Sequence, residues 1–247
     1  MLELDIISAT AAYAGRIGER RERFCSRFSQ EKKEIFRVIE REILAKISAN
    51  GEKATCRKGC SVCCVLFIEA SIQECEAIVH HLYRNPDKMS QFLRGYQEWR
   101  LMMRLSGNPF ERCEEILHAR REEDIDQSDQ ETLLRALGLY QHQNMSCPFL
   151  DQGACSIYEV RPYACANHYV TTPAEWCAAE NWCNPSFPHR PRIYMTDTDR
   201  LYDLSFYHGD LKRPVVSFAP TTVYRILTEG LEHVAMLTGI NSLVPGT

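Results

Sequence analysis

The stretch CRKGCSVCC, residues 56–64, sets four cysteines into nine positions and constrains the fold more than any other feature of the chain. Cys60 and Cys63 are separated by two residues, the spacing by which one chain turn presents two sulfurs to a metal. Cys56 and Cys64 widen that turn, and Gly59 permits the tight backbone it requires. Thiolates crowded in this way repel: at about 4 Å, two like charges cost roughly 4 kcal/mol at an effective dielectric of about 20. The sulfurs must stay protonated or share a cation. Structural zinc contributes about 10–16 kcal/mol of folding free energy, ample to organise such a region.

A second group follows more than eighty residues later, in CPFLDQGACSIYEVRPYACANHY. Cys147, Cys155 and Cys165 are too widely spaced for a single turn, so each comes from a separate limb of a loop. Pro148 and Pro162 stiffen those limbs, and Asp151-Gln152-Gly153 reverses the chain between the first two. Cys177 and Cys183 lie further on, as additional ligands or as a reduced, unligated pair on a short helix. Segments 56–64 and 147–183 together hold nine of the twelve cysteines. The other three read as core: Cys25 sits beside Phe24 and Phe28, Cys75 lies on an apolar helical stripe, and Cys113 falls between Phe110 and Ile116-Leu117. His168, three residues after Cys165, is a candidate imidazole ligand. His189 and His208 have no partner motif, and Arg161 and Glu159 are expected to pair with each other or to brace the loop backbone.

The 247-residue chain is long enough to bury a core without covalent help, so this many cysteines is not a substitute for one. No secretory leader is legible in MLELDIISATAAYAG, and no window approaches the roughly 20 apolar residues of a membrane span. The expected location is the cytoplasm, where thiols stay reduced, and this favours metal over disulfides. A net charge of -4 leaves no footprint for nucleic acid or an anionic membrane. The basic run in residues 16–37 is interleaved with Glu19, Glu22, Glu31 and Glu34, as on a solvated helix face.

Elsewhere the pattern is helical. Ile35, Ile39, Ile43 and Ile47 form a stripe with Phe36 and Leu44. Ser71 with Glu74 forms a capping box ahead of Ile72, Cys75, Val79 and Leu82. Pro86 punctuates, and residues 90–105 resume the helix. Asn108-Pro109 starts another, and Ser128 with Glu131 caps a helix bearing Leu133, Leu134 and Leu137. From 144 to 170 the periodicity dissolves. Thr172-Pro173 with Glu175 opens a short helix that carries Cys177 and ends near Cys183. Residues 192–208 allow a small β-hairpin, and Val223, Ile226, Leu227, Leu231, Val234 and Leu237 line a last helix. The expected fold is mainly α: a single helical domain over 1–247 around an irregular cysteine-rich metal-binding core at 56–183.

Cys60-Ser-Val-Cys63-Cys64, Cys147-Pro-Phe-Leu-Asp, Gly153-Ala-Cys155-Ser-Ile-Tyr158-Glu-Val-Arg161-Pro162 and Cys165 together resemble the YkgJ-type cysteine-cluster family, a zinc- or iron-chelating domain. The cysteine pattern is similar to that of flagellin lysine N-methylases. The resemblance spans roughly residues 56–168. It implies a chelating set of Cys56, Cys60, Cys63, Cys64, Cys147, Cys155 and Cys165. Two departures stand out: Ala166 occupies a place where Arg is common, and Cys56 lies one residue further from Cys60 than in the commonest form.

The expected cofactor is an iron–sulfur cluster or zinc. Nine sulfurs exceed the four that one tetrahedral zinc or one [4Fe–4S] cluster uses, which points to two centres or one with additional thiols. Consecutive residues such as Cys63 and Cys64 are expected to point apart and to serve different metals or opposite sides of one cluster. The leading functional expectation is a metal-binding protein in electron transfer or metal handling. The alternatives are a methyltransferase-like or redox enzyme and a structural zinc module presenting helices to a protein partner. No motif announces an S-adenosylmethionine or nucleotide site.

Overall fold

A computed structural model describes residues 2–119, 127–183, 186, 190–196 and 216–230. It is mainly helical, with small two-stranded antiparallel sheets. Helix α1 (Leu2–Ala49) runs along one side and buries Ile39, Ile43 and Ile47; Leu44 lies off that face, 41% exposed. Strand β1 (Glu69–Ser71) leads directly into α2 (Ile72–Tyr83), whose capping box forms with both hydrogen bonds in place. Helix α3 spans Pro86–Leu105: the proline that reads as a break in the sequence is its first residue, where a fixed φ suits a helix start. Helices α4 (Pro109–Ala119) and α5 (Gln127–His142) follow. Ser128 lies inside α5 instead of capping it, and Leu134 is 62% exposed.

Beyond α5 the elements are short. A two-residue turn joins β2 (Leu150–Asp151) to β3 (Ala154–Cys155), with Gln152 and Gly153 both at positive φ, as hairpin turns of this length require. A 3₁₀ turn at Tyr158–Val160 precedes α6 (Tyr163–Ala166) and β4 (Tyr169–Val170). The expected helix around Cys177 and Cys183 is split into a 3₁₀ turn at Ala174–Cys177 and α7 (Ala179–Cys183). Strand β5 (Ile193–Tyr194) pairs with β4, and the rest of the expected 192–208 hairpin lies outside the described residues apart from the segment's first few positions. Strand β6 (Val216–Phe218) pairs with β1, a pairing the sequence does not announce, and runs into α8 (Ala219–Glu229). The stripe positions Leu231, Val234 and Leu237 lie outside the described residues.

The largest core cluster joins α2, α3, α8 and β6 to the Cys147–Phe149 turn. Phe92 stacks on Phe149 with ring centres 4.5 Å apart, and Trp99 stacks on Phe218 at 5.1 Å. Burial of this kind, near 25 cal/mol per Å² of apolar surface, holds the helical frame against which the irregular segment rests. Cys25, Cys75 and Cys113 are fully buried in the apolar clusters, as expected of small hydrophobes. Among the described residues no helix is long and apolar enough to cross a membrane.

Candidate metal centre

The first cysteine segment is a chain of tight turns. Cys60 N donates to Arg57 O at 3.0 Å, Cys64 N to Ser61 O at 2.9 Å, and Leu66 N to Cys63 O at 3.1 Å. Gly59 has φ +91°, a conformation that favours glycine. The two segments are joined by backbone: Cys147 N donates to Cys64 O at 2.7 Å, and Thr55 N to Val170 O at 2.8 Å. Val170 N in turn donates to Cys56 Sγ at 3.2 Å. The β2–β3 register places Cys155 across from Leu150, and Cys165 rides on α6, where its N–H donates to Pro162 O.

A buried ion pair fixes this last arm. Lys32 Nζ lies 2.8 Å from Glu74 Oε1 with both side chains almost wholly enclosed, and Lys32 also reaches Val160 O at 3.4 Å. The Glu74 carboxylate accepts from Tyr163 N at 2.8 Å while its other oxygen completes the α2 capping box. One carboxylate thus ties α1 and the start of α2 to the start of the helix that carries Cys165. Gly95 on α3 adds a second constraint, because a Cβ there would stand 2.9 Å from Pro148 O, beside Cys147. Sequence reading found Glu74 only as a cap and did not single out Lys32 or Gly95. Their partners lie far along the chain, so local pattern carried no signal for them.

Cys60, Cys63, Cys64, Cys147, Cys155 and Cys165 line one cavity of about 310 Å³, together with Arg161, His168 and a wall that includes Phe67, Ile68, Phe149 and Ile157. Cys56 and Cys177 do not line it. They lie to one side, where the charge of Cys177 is felt with those of Cys56, Cys60 and Cys63. The Cys183 side chain lies outside the described residues, as do His189 and His208. The described cysteines are all free thiols. Among the described residues no three His, Cys, Asp or Glu side chains converge closely enough to hold a single ion as they stand. The sulfurs surround a space.

Two expectations need correction. Cys63 and Cys64 do not diverge: both line the cavity, and their side chains share a hydrogen bond. Arg161 does not pair with Glu159; its guanidinium carbon lies 3.9 Å from the centre of the Tyr158 ring.

Burial dominates the electrostatics. It pushes the thiols of Cys147 and Cys177 up to about 12, and also raises Cys56, Cys155 and Cys165. Cys63 is the exception, held down to about 7 by the hydrogen bond with Cys64, which is driven up in return. Without a metal most of these thiols keep their protons at neutral pH, so a cation that binds must displace them. Burial lowers the His168 imidazole from its ordinary value and keeps it neutral, the form that can ligate. A donor set of thiols with one neutral imidazole suits zinc or iron and is too soft for magnesium or calcium, so the residues present fit either of the former.

Such a site defines a cysteine-rich metal-chelating protein. The family model CxxCxxCC, described as "Putative zinc- or iron-chelating domain", matches residues 55–184, more than half of the chain, and the protein belongs to that family. The YkgJ-type family is the same domain. No curated protein matches the chain, and no solved structure does.

Proposed function

We propose that this zinc- or iron-chelating protein holds an iron–sulfur cluster in the cavity between its two cysteine segments and serves in electron transfer or metal handling. The observation that carries this reading is that six thiols enclose about 310 Å³ without meeting at a point. One tetrahedral zinc, with Zn–S near 2.3 Å, draws its sulfurs to within about 3.8 Å of one another. A polynuclear cluster holds them further apart around a larger core. Cys64, Cys147, Cys155 and Cys165 are the proposed ligands, with His168 in reserve on the cavity wall.

Cys60 and Cys63, on the wall of the same cavity, are further candidate ligands of that cluster, and Cys56 and Cys177 are additional thiols beside it. The whole chain acts as one domain in this reading, a view supported by the pairing of residues 69–71 with 216–218 across the cysteine segments.

The test is metal and acid-labile sulfide content with a visible spectrum, on protein purified without oxygen. Iron and sulfide in similar amounts with a brown colour are expected. A colourless protein carrying only zinc would overturn the cluster and leave a zinc module. Metal removal by chelation is expected to lower the melting temperature while far-ultraviolet circular dichroism changes little, because α2, α3 and α8 also pack on one another through apolar side chains.

A further inference from the structure

Arg161 lies between the two cysteine segments with no partner that explains it. Its guanidinium stacks on the Tyr158 ring, and Lys58 Nζ stands 5.4 Å from the centre of the same ring. Lys58 comes from the first segment and Arg161 from the second, so folding brings two like charges onto one aromatic side chain. Among the described residues no carboxylate pairs with Arg161, and its buried Nε has no hydrogen-bond partner. A partly buried cation is costly unless an anion faces it. What shares the cavity wall with Arg161 is sulfur: Cys60, Cys63 and Cys64 of one segment and Cys147, Cys155 and Cys165 of the other. Four thiolates outweigh a divalent ion and leave two negative charges in a low-dielectric space.

We propose that Arg161, assisted by Lys58 across Tyr158, is the countercharge of the thiolate centre, a positioning residue that lets several deprotonated sulfurs share one cavity. This rests on the reading that the cavity thiols bind metal. Arg161 carries most of the effect because it is half-buried with its Nε shielded from solvent, whereas Lys58 is exposed and screened by water and salt. The same balance would hold for zinc or for a cluster, since the role depends on charge and not on the identity of the metal.

The experiment titrates metal-free, fully reduced protein with cadmium, read from the sulfur-to-cadmium charge-transfer band against a competing chelator, at low and high salt. Arg161→Gln is expected to weaken binding about 10- to 100-fold, the usual range for residues that support a metal's ligands. Arg161→Lys is expected to restore most of that loss. Lys58→Glu, at an exposed position that cannot compromise the core, is expected to weaken binding up to about fivefold at low salt, with the effect erased at high salt. Arg161→Gln binding like the wild type would overturn the proposal. So would Arg161→Lys failing as badly as Arg161→Gln, which would make the stacked guanidinium a structural brace. Should Arg161→Gln not fold, a Lys58→Glu protein indifferent to salt would overturn it instead. If the wild type itself bound no cadmium, the chelation reading would fall and this proposal with it.

Discussion

Lys32 and Glu74 offer the sharpest test of how the helical frame holds the cysteine arm. The pair is 2.8 Å apart, and less than a twentieth of either side chain is exposed. Replacing Lys32 by Met keeps a long, flexible apolar side chain but leaves the Glu74 carboxylate inside without its cation. The remaining donors, Ser71 N and Tyr163 N, are backbone amides and cannot neutralise it. Lys32 also gives up its contact with Val160 O and its position 5.2 Å from the centre of the Phe36 ring. Breaking a buried pair by removing one partner costs about 3–5 kcal/mol. For a chain of this size that corresponds to a fall in melting temperature of roughly 6–20 °C. Because Val160 and Tyr163 flank Arg161 and precede Cys165, the loss is expected to reach the metal as well. Urea unfolding gives the stability, and chelator competition on the same sample gives the metal affinity. A Lys32→Met protein within about 1 kcal/mol of wild type would refute the reasoning, because a carboxylate so enclosed cannot lose its cation that cheaply. Unchanged metal affinity alongside a large stability loss would show that the pair holds the helices together but not the arm.

Two further outcomes test separate parts of the structure. Gly95→Ala places a Cβ against the Pro148 carbonyl, which is expected to destabilise the protein by about 1–3 kcal/mol and to loosen metal through displacement of Cys147; thermal melts with metal quantification check both. Glu114 is half-buried, and the loss of solvent lifts its carboxyl from 4.5 to about 7 against the opposing Phe218 amide and Arg225 charge. The folded chain therefore holds a proton there that the unfolded chain has lost, and this carboxyl's contribution to stability falls as pH rises through that window. Glu114→Gln is expected to match the wild type near pH 4 and to exceed it by roughly 3 kcal/mol at pH 8. Equal stability of the two proteins at both pH values would show that the carboxyl is not perturbed.

The helices were legible because their signals are local. The Ser71–Glu74 box, the isoleucine spacing of α1 and the Pro109 start all act within a few residues, and each stands where its pattern places it. The misreadings arose where a local signal met a distant partner or an equally good alternative. Pro86 reads as a stop or as a first helical residue with equal right, and Ser128 loses its capping role because α5 begins before it. Leu44 follows the stripe by composition, yet it sits off the buried face and stays 41% exposed. The pairing of β1 with β6 left no trace, since three-residue strands carry too few positions for a period to emerge.

For the candidate site, the cysteine spacing by itself singled out residues 56–183 as the candidate metal-binding region, and it separated the three core thiols from the rest. Composition fixed the softness of the donor set. Only the tertiary structure decided which sulfurs share a space, that Cys63 and Cys64 face it together, and that Arg161 looks toward thiols instead of Glu159. The physical reason is reach. A turn signal or a helical stripe acts over a few residues, whereas the cavity closes through the Cys147–Cys64 backbone bond, the Lys32–Glu74–Tyr163 tie and the Gly95–Pro148 contact. Each of these joins groups that are adjacent only once the chain has folded.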